Sequence, residues 1–164
     1  SCSRHSYIMN INFKLICYDF DGVMTDNRAL LFEDGQEAVF VNRSDGWAVA
    51  RIRELGISQI ILSTEQNLVV TARARKLQIP VLQGLSDKRA VLISKAAEDG
   101  IDLARVAYLG NDVNDLEAMQ LVGIPVAPAD AHPSILQIAK FVTISAGGGG
   151  VIREFYERCI LEEF

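Results

Sequence analysis

Long apolar runs are missing from this chain of 164 residues. No stretch of eighteen apolar residues occurs, so no transmembrane helix is expected. Residues 1–10 are polar and lack the apolar centre of a signal peptide. They read as a tag remnant or as a linker from an upstream domain, leaving 11–164 as a single domain. Cysteine is scarce. Cys2, Cys17 and Cys159 are too few for a disulfide framework and suit a reducing cytoplasm. Cys17 lies in an apolar run and reads as a small core residue. Positive charge is in deficit: 16 Lys and Arg face 21 Asp and Glu, a net charge of −5. Without a basic stripe to offset phosphate, no nucleic-acid partner is expected. Internal repeats are absent as well.

What is present is the composition of a soluble globular domain, 49% hydrophobic and 23% charged. Apolar runs alternate with helical spacing almost to the end. Residues 14–18 form a short buried-strand run. Residues 28–33 and 37–43 are strand-like on either side of Asp34-Gly35 and predict a hairpin. Helical patterns follow over 45–55, 67–77 (with Arg73, Arg75 and Lys76 assigned to its outer face), 86–98, 115–122, 134–140 and from 151 onward. Ser86 is the candidate N-cap of the third of these helices. Strand-like runs fall at 57–62, 80–83, 106–109, 124–127 and 141–144. Gly147 to Gly150 reads as a flexible run. The alternation predicts an α/β fold: a Rossmann-like three-layer sandwich with a central parallel sheet and a protruding β-hairpin. In such sheets ligands bind beyond the carboxyl ends of the strands.

Four polar segments stand at successive strand ends. Asp19 and Asp21 follow the first strand, and Gly22 lets the chain turn away from the pair. Two carboxylates beside a buried strand are costly unless a cation compensates them. Ser63 and Thr64 follow the next strand, where a hydroxyl can donate to a phosphate oxygen or cap a helix. Lys88 lies in a first helical turn, where a cation opposes the helix dipole, which suggests an anionic partner. The segment Gly110-Asn111-Asp112-Val113-Asn114-Asp115 offers carboxylate and amide oxygens suited to magnesium. Each signal alone has a bland reading as a cap, a turn or a surface lysine. Four of them in order at successive strand ends do not.

These residues resemble the four motifs of the haloacid dehalogenase superfamily, over residues 14 to about 157. More narrowly, Gly22-Val23-Met24-Thr25-Asp26, Ser44-Asp45-Gly46, Asp87-Lys88, Ala107-Tyr108-Leu109-Gly110 and the tail Gly149-Gly150-Val151-Ile152-Arg153-Glu154 are similar to one subfamily. It comprises phosphatases of 3-deoxy-D-manno-octulosonate 8-phosphate and of nonulosonate (sialic-acid-type) 9-phosphates. It also resembles the phosphatase-like domain fused to CMP-sialic acid synthetases. The run Ser63-Thr64-Glu65-Gln66 departs from the Ser/Thr-Gly-Arg of the octulosonate enzymes and leans to the nonulosonate side.

The resemblance implies a magnesium-dependent phosphatase. Asp19 would be the nucleophile and Asp21 the general acid and base. Magnesium would be held by Asp19, Asp21, Asn111 and Asp112. Ser63, Thr64 and Lys88 would bind phosphate, and Asp115 would orient Lys88 or the metal loop. Thr25, Arg43 and Arg153 are candidate substrate contacts. Asn111 stands where the family often has Asp, which leaves the ligand role open between Asn111 and Asp112. No room exists for the cap domain many members carry. The resemblance implies a homotetramer in which a neighbour's tail, around Gly147 to Arg153, completes each site. It also leaves open fusion to a cytidylyltransferase, in which the domain would be a weakly active oligomerisation module. A response-regulator receiver is disfavoured, because receivers place no general acid two residues after the nucleophile.

Overall fold

The computed structural model describes residues 12–161; the segment expected to be a tag or linker lies outside them. The central sheet has six strands: β1 (Leu15–Tyr18), β4 (Ser58–Leu62), β5 (Val81–Leu82), β6 (Val106–Leu109), β7 (Ile124–Ala127) and β8 (Phe141–Val142). Their order is β5-β4-β1-β6-β7-β8, and every neighbouring pair is parallel. The sheet is doubly wound about β1: the chain builds outward through β4 and β5, then crosses to β6 on the other side. Tyr18 is level with Ile61 and Leu109, so the residues after β1, β4 and β6 emerge side by side.

Both faces of the sheet are covered, which is why its strands read as continuous apolar runs. Side chains of β1 alternate between two cores. Ile16 and Tyr18 pack with Val49, Ile52, Val70 and Phe155. Leu15 and Cys17 pack with Leu92, Met119 and Ile135. The first layer contains α1 (Arg43–Glu54), α2 (Leu68–Leu77) and α6 (Val151–Phe155), and α6 runs on into a π turn (Tyr156–Ile160). The second contains α3 (Lys88–Glu98), α4 (Leu116–Met119) and α5 (Pro133–Ile138). Each fully buried aliphatic or aromatic side chain contributes about 1.5–3 kcal/mol, so this pair of cores holds the strand ends in place.

Between β1 and β4 lie only the hairpin strands β2 (Leu30–Leu31) and β3 (Glu37–Ala38) and helix α1; between β4 and α3 lie only α2 and β5. The domain therefore has no inserted cap among its described residues. The hairpin is antiparallel but its strands are two residues each, shorter than the alternation suggests. Residues 39–42 join no strand pair and lead straight into α1, which starts two residues earlier than its spacing predicts.

Three local expectations are corrected. The N-cap of α3 is Asp87, not Ser86: its carboxylate accepts from Ala90 N at 2.9 Å, and a carboxylate gains more from the helix dipole than a hydroxyl does. Arg73 is not on the outer face of α2 but buried, donating to the Asn42 carbonyl at 3.1 Å. The run Gly147 to Gly150 is not a loose arm. Gly147 N donates to Asp130 Oδ1 and Gly148 N to the Val23 carbonyl, while Asn42 Nδ2 donates to the Gly148 carbonyl. A Cβ on Gly147 would stand 2.1 Å from the Gly22 carbonyl oxygen. The glycines are there because two backbones touch, not because the segment must move.

Candidate active site

Asp19 follows β1 and is buried. Its backbone N donates to the Leu109 carbonyl, which ties the residue to β6. Its Oδ1 accepts from Phe20 N at 2.8 Å and from Lys88 Nζ at 3.1 Å. Lys88, the first residue of α3, is also buried, and its ammonium reaches Asp115 Oδ1 at 2.8 Å. Asp115 is fully buried and is held from three sides. Tyr108 from β6 donates to it at 2.8 Å, Asn111 N at 3.1 Å and Asp112 N at 3.4 Å. The unfavourable cation in the first turn of α3 is thus explained: its partners are two carboxylates at neighbouring strand ends.

The charges in this cluster follow from the contacts. Burial works against the Lys88 charge, but Asp19 and Asp115 outweigh it and hold the ammonium above its ordinary pKa. Burial also pushes Asp115 upward, yet Lys88, the hydrogen bond with Asp19 and the Tyr108 hydroxyl bring it below the usual carboxylate range. Asp19 moves the other way, raised by burial first and by Asp115 second, with Lys88 opposing. Of the two carboxylates that share one lysine, Asp115 has more donors, and its charge is the better supported.

Asp21 is half-buried and its pKa is raised, by desolvation first and then by Glu65 and Glu37. Lys88 and a hydrogen bond with the Thr25 side chain pull against this. A carboxyl whose pKa is raised holds its proton more tightly than a free one, which suits the role of proton donor. Thr25 itself is fully buried, and its Oγ1 accepts from Gly22 N and Asn27 N. It braces the loop from inside. Gly22, at φ +84°, is the position where a side chain is excluded: a Cβ would stand 1.9 Å from Asn111 Nδ2.

Asn111 bridges the two motif loops. One terminal atom of its amide lies 3.0 Å from the Asp21 carbonyl oxygen and 2.9 Å from Asp19 Oδ2. With nitrogen in that place, the amide donates to both. With oxygen there, three oxygens converge with no proton among them. Adjacent oxygen ligands around an octahedral magnesium ion are separated by about 2.9 Å, which matches the separation of the Asn111 atom from each of the other two. Among the described residues no group of three or more His, Cys, Asp or Glu forms a metal site. A cation here would rest on Asp19 plus neutral oxygens. Asp112 turns its carboxylate back to Val113 N at 2.7 Å and stands at the rim.

Asp19, Asp21, Thr64, Asn111 and Asp112 line a hollow of about 150 Å³ together with Asn27, Glu65 and Asn114. A groove of about 380 Å³ at the opposite ends of β1 and β4 is larger, but it gathers no such set. Chemistry, not size, locates the site. Ser63 is buried next to Thr64, and its Oγ accepts from Glu65 N at 3.1 Å. Of the six expected substrate contacts only Thr64 lines the hollow: Thr25, Ser63 and Lys88 are buried outside its lining, and Arg43 and Arg153 lie elsewhere. Arg43 lies in a groove between α1 and α2. Arg153 stacks on Trp47, 4.0 Å from the ring centre, and pairs with Glu157.

Three residues have a part here that the sequence reading did not give them. Tyr108 is a tyrosine in a buried strand, whose hydroxyl must find a partner, and that requirement was the available signal. Glu65 directly follows Ser63-Thr64. Glu37, from the hairpin, accepts from Asn67 Nδ2 at 2.7 Å; nothing local in the sequence links it to Asp21.

Comparison with known proteins gives a consistent result. A family model described as haloacid dehalogenase-like hydrolase matches residues 49–155. The 3-deoxy-D-manno-octulosonate 8-phosphate phosphatase of Yersinia pestis is 34% identical, over 93% of this chain and 82% of that protein. The N-acylneuraminate cytidylyltransferase of Oncorhynchus mykiss is 31% identical over 90% of this chain, which spans only 35% of that protein. The 3-deoxy-D-manno-octulosonate 8-phosphate phosphatase of Moraxella catarrhalis has a solved structure with magnesium, phosphate and the sugar acid. It superposes with a TM-score of 0.91 at 26% identity, covering 98% of this chain and 91% of that one.

Proposed function

The chain is a phosphatase of the haloacid dehalogenase-like hydrolase family, and we propose that it hydrolyses the phosphate ester of a 2-keto-3-deoxy sugar acid through a phosphorylated Asp19. The observation that carries this reading is the buried Lys88 between Asp19 and Asp115, with Asp21 two residues on and its pKa raised. Asp115 fixes Lys88, and Lys88 orients Asp19.

In the first step a carboxylate oxygen of Asp19 attacks phosphorus and the bond from phosphorus to the sugar oxygen breaks. Asp21 gives its proton to the departing alkoxide. In the second step Asp21, now a carboxylate, takes a proton from water. That water attacks phosphorus, releasing inorganic phosphate and restoring Asp19. Lys88, with the Ser63 and Thr64 hydroxyls, stabilises the charge on the oxygens that are not transferred. Asp19, the Asp21 carbonyl and Asn111 are the groups that would hold magnesium, with Asp112 at the rim. Bound there, the cation screens the repulsion between carboxylate and phosphate.

The hollow is small and open beside a sugar acid of eight or nine carbons, so the rest of the substrate needs other contacts. The hairpin exposes Leu30 (63%), Leu31 (67%) and Phe40 (83%), an apolar surface suited to packing against other copies in a homotetramer. Arg43 and Arg153 do not line their own hollow and would meet the substrate carboxylate from a neighbouring copy.

The test is a panel of sugar phosphates assayed for phosphate release with magnesium. Sugar-acid 8- and 9-phosphates are expected to exceed neutral hexose phosphates and p-nitrophenyl phosphate in kcat/KM. Equal rates across the panel would remove the sugar-acid assignment. A second reading, a weakly active assembly domain of a cytidylyltransferase, is favoured by the 31% identity to the trout enzyme and by the uncharged Asn111. It predicts no turnover of any member above background.

A further inference from the structure

The lining of the hollow restricts what can stand beside the phosphate. Asp19, Asp21, Glu65 and Asp112 all contribute to it, and among the described residues no cation does. A second anionic group of the substrate would be repelled there. The part of the alcohol next to the ester must therefore be uncharged, and the substrate's own carboxylate must lie at a distance. Among the neutral residues of the lining, Thr64 is assigned to phosphate and Asn111 to the motif loops. Asn27 and Asn114 have no duty in the two steps above.

Asn27 is the one on the proton donor's loop. Thr25 Oγ1 accepts from Gly22 N at 3.3 Å and from Asn27 N at 3.1 Å. Two amides that meet on one oxygen are neighbours in space, so Asn27 stands beside the residue that directly follows Asp21. Its backbone is fixed from both sides. Arg28 N donates to Asp26 Oδ1 at 3.1 Å, and the Arg28 guanidinium grips Asp26 Oδ2 at 3.0 and 2.9 Å. It is also one of two non-glycine residues with positive φ among those described, at +68°. The other, Gln78, closes the end of α2, where this conformation serves as a helix cap. Asn27 ends no helix. Its side chain is exposed and makes no hydrogen bond within the described residues. A free amide on a fixed backbone loses little entropy when it binds.

We infer that Asn27 is a specificity-determining residue of the proposed reaction, on which this inference rests: its amide binds the substrate hydroxyl on the carbon next to the ester-bearing carbon. An amide offers both a donor and an acceptor, and a hydroxyl answers both. A carboxylate in the same place would be acceptor only, beside four other acceptors. The site therefore selects the hydroxylated end of a sugar acid, with its acid group remote from the ester. The competing account is that asparagine is present only because it tolerates the left-handed backbone better than other side chains do.

The test compares the full chain with Asn27→Gly, measuring phosphate release with magnesium. Propane-1,2-diol 1-phosphate and n-propyl phosphate differ by the one hydroxyl in question. Sugar-acid 8- and 9-phosphates join the first as hydroxylated esters, and p-nitrophenyl phosphate joins the second as a hydroxyl-free reference. Differences in intrinsic reactivity are the same for both proteins and cancel in the comparison. Glycine adopts the left-handed backbone without strain, so the variant should melt close to the wild type. It should lose kcat/KM roughly three- to tenfold more on the hydroxylated esters than on the references, the worth of one neutral hydrogen bond. An equal change on both classes, or none on either, would overturn the inference and leave backbone tolerance as the reason for Asn27. A wild type that releases phosphate from none of the esters would instead overturn the phosphatase reading, and this inference with it. A wild type without preference for the sugar acids removes that assignment alone, and the diol and propyl pair still decides on Asn27.

Discussion

The Lys88 ammonium stands 3.1 Å from Asp19 Oδ1 although 69 residues separate the two in the chain. The contact exists because α3 begins beside the end of β1, and it leaves Asp19 in a setting where its charge is supported on one side only. Asp19→Asn removes a carboxylate whose charge is opposed by burial and by Asp115. Turnover of the best sugar phosphate should fall on the order of 10³-fold or more, with the melting temperature unchanged or raised. Phosphate-release kinetics and calorimetry on the same preparation check both halves.

Lys88→Met has the opposite effect on stability. It leaves Asp19 and Asp115 buried without their shared cation, and breaking a buried pair this way costs about 3–5 kcal/mol. Urea unfolding at pH 7 should show the loss. Lowering the pH should restore part of it, since a protonated Asp19 no longer repels Asp115.

Asn111→Asp places a second carboxylate beside Asp19 Oδ2 and the Asp21 backbone carbonyl. The metal-free variant should melt below the wild type, and added magnesium should raise its melting point more. Asp112→Ala, at the rim, should change the magnesium response less than Asn111→Ala does. The reverse order in a melting titration would assign the ligand role to Asp112.

Asp45 gives a pH dependence of known sign. It is buried, with one oxygen accepting from Arg153 N at 3.1 Å, and its pKa is raised to about 6, by burial above all. A raised carboxyl pKa means that the folded state binds its proton more tightly than the unfolded state. Ionising Asp45 therefore penalises folding by roughly 3 kcal/mol at pH 7. The penalty is fully present above pH 6 and is relieved as the pH falls toward the unfolded value near 4. Asp45→Asn should gain stability relative to wild type at pH 7 and lose that advantage at pH 4. Chemical denaturation of both proteins across this window is the measurement.

The exposed hairpin predicts assembly. Leu31→Lys with Phe40→Ser replaces side chains that are 67% and 83% exposed, so neither change removes core packing. Light scattering should show the wild type as a tetramer and the variant as smaller species of unchanged thermal stability per chain. A wild type that scatters as a monomer would end the assembly reading.

The sequence by itself determined the layered fold and the parallel sheet. Both are written in local order, as apolar runs alternating with helical spacing, and Asp19, Asp21, Ser63, Thr64 and Asn111 follow because polar residues after buried strands must emerge at one edge. Hydrophobic burial acts on near neighbours in sequence, so it can be read there. Only the tertiary structure decided which side chains meet. It placed Asn111 rather than Asp112 against Asp19, and buried Thr25 as a brace. It set Arg73 inside the α1–α2 groove and clamped the glycine run against the catalytic loop. It also brought Glu37 of the hairpin close enough to Asp21 to raise its pKa. Electrostatics and close backbone approach act through space over a few ångströms, whatever the distance along the chain, and for that reason neither is visible in the order of residues.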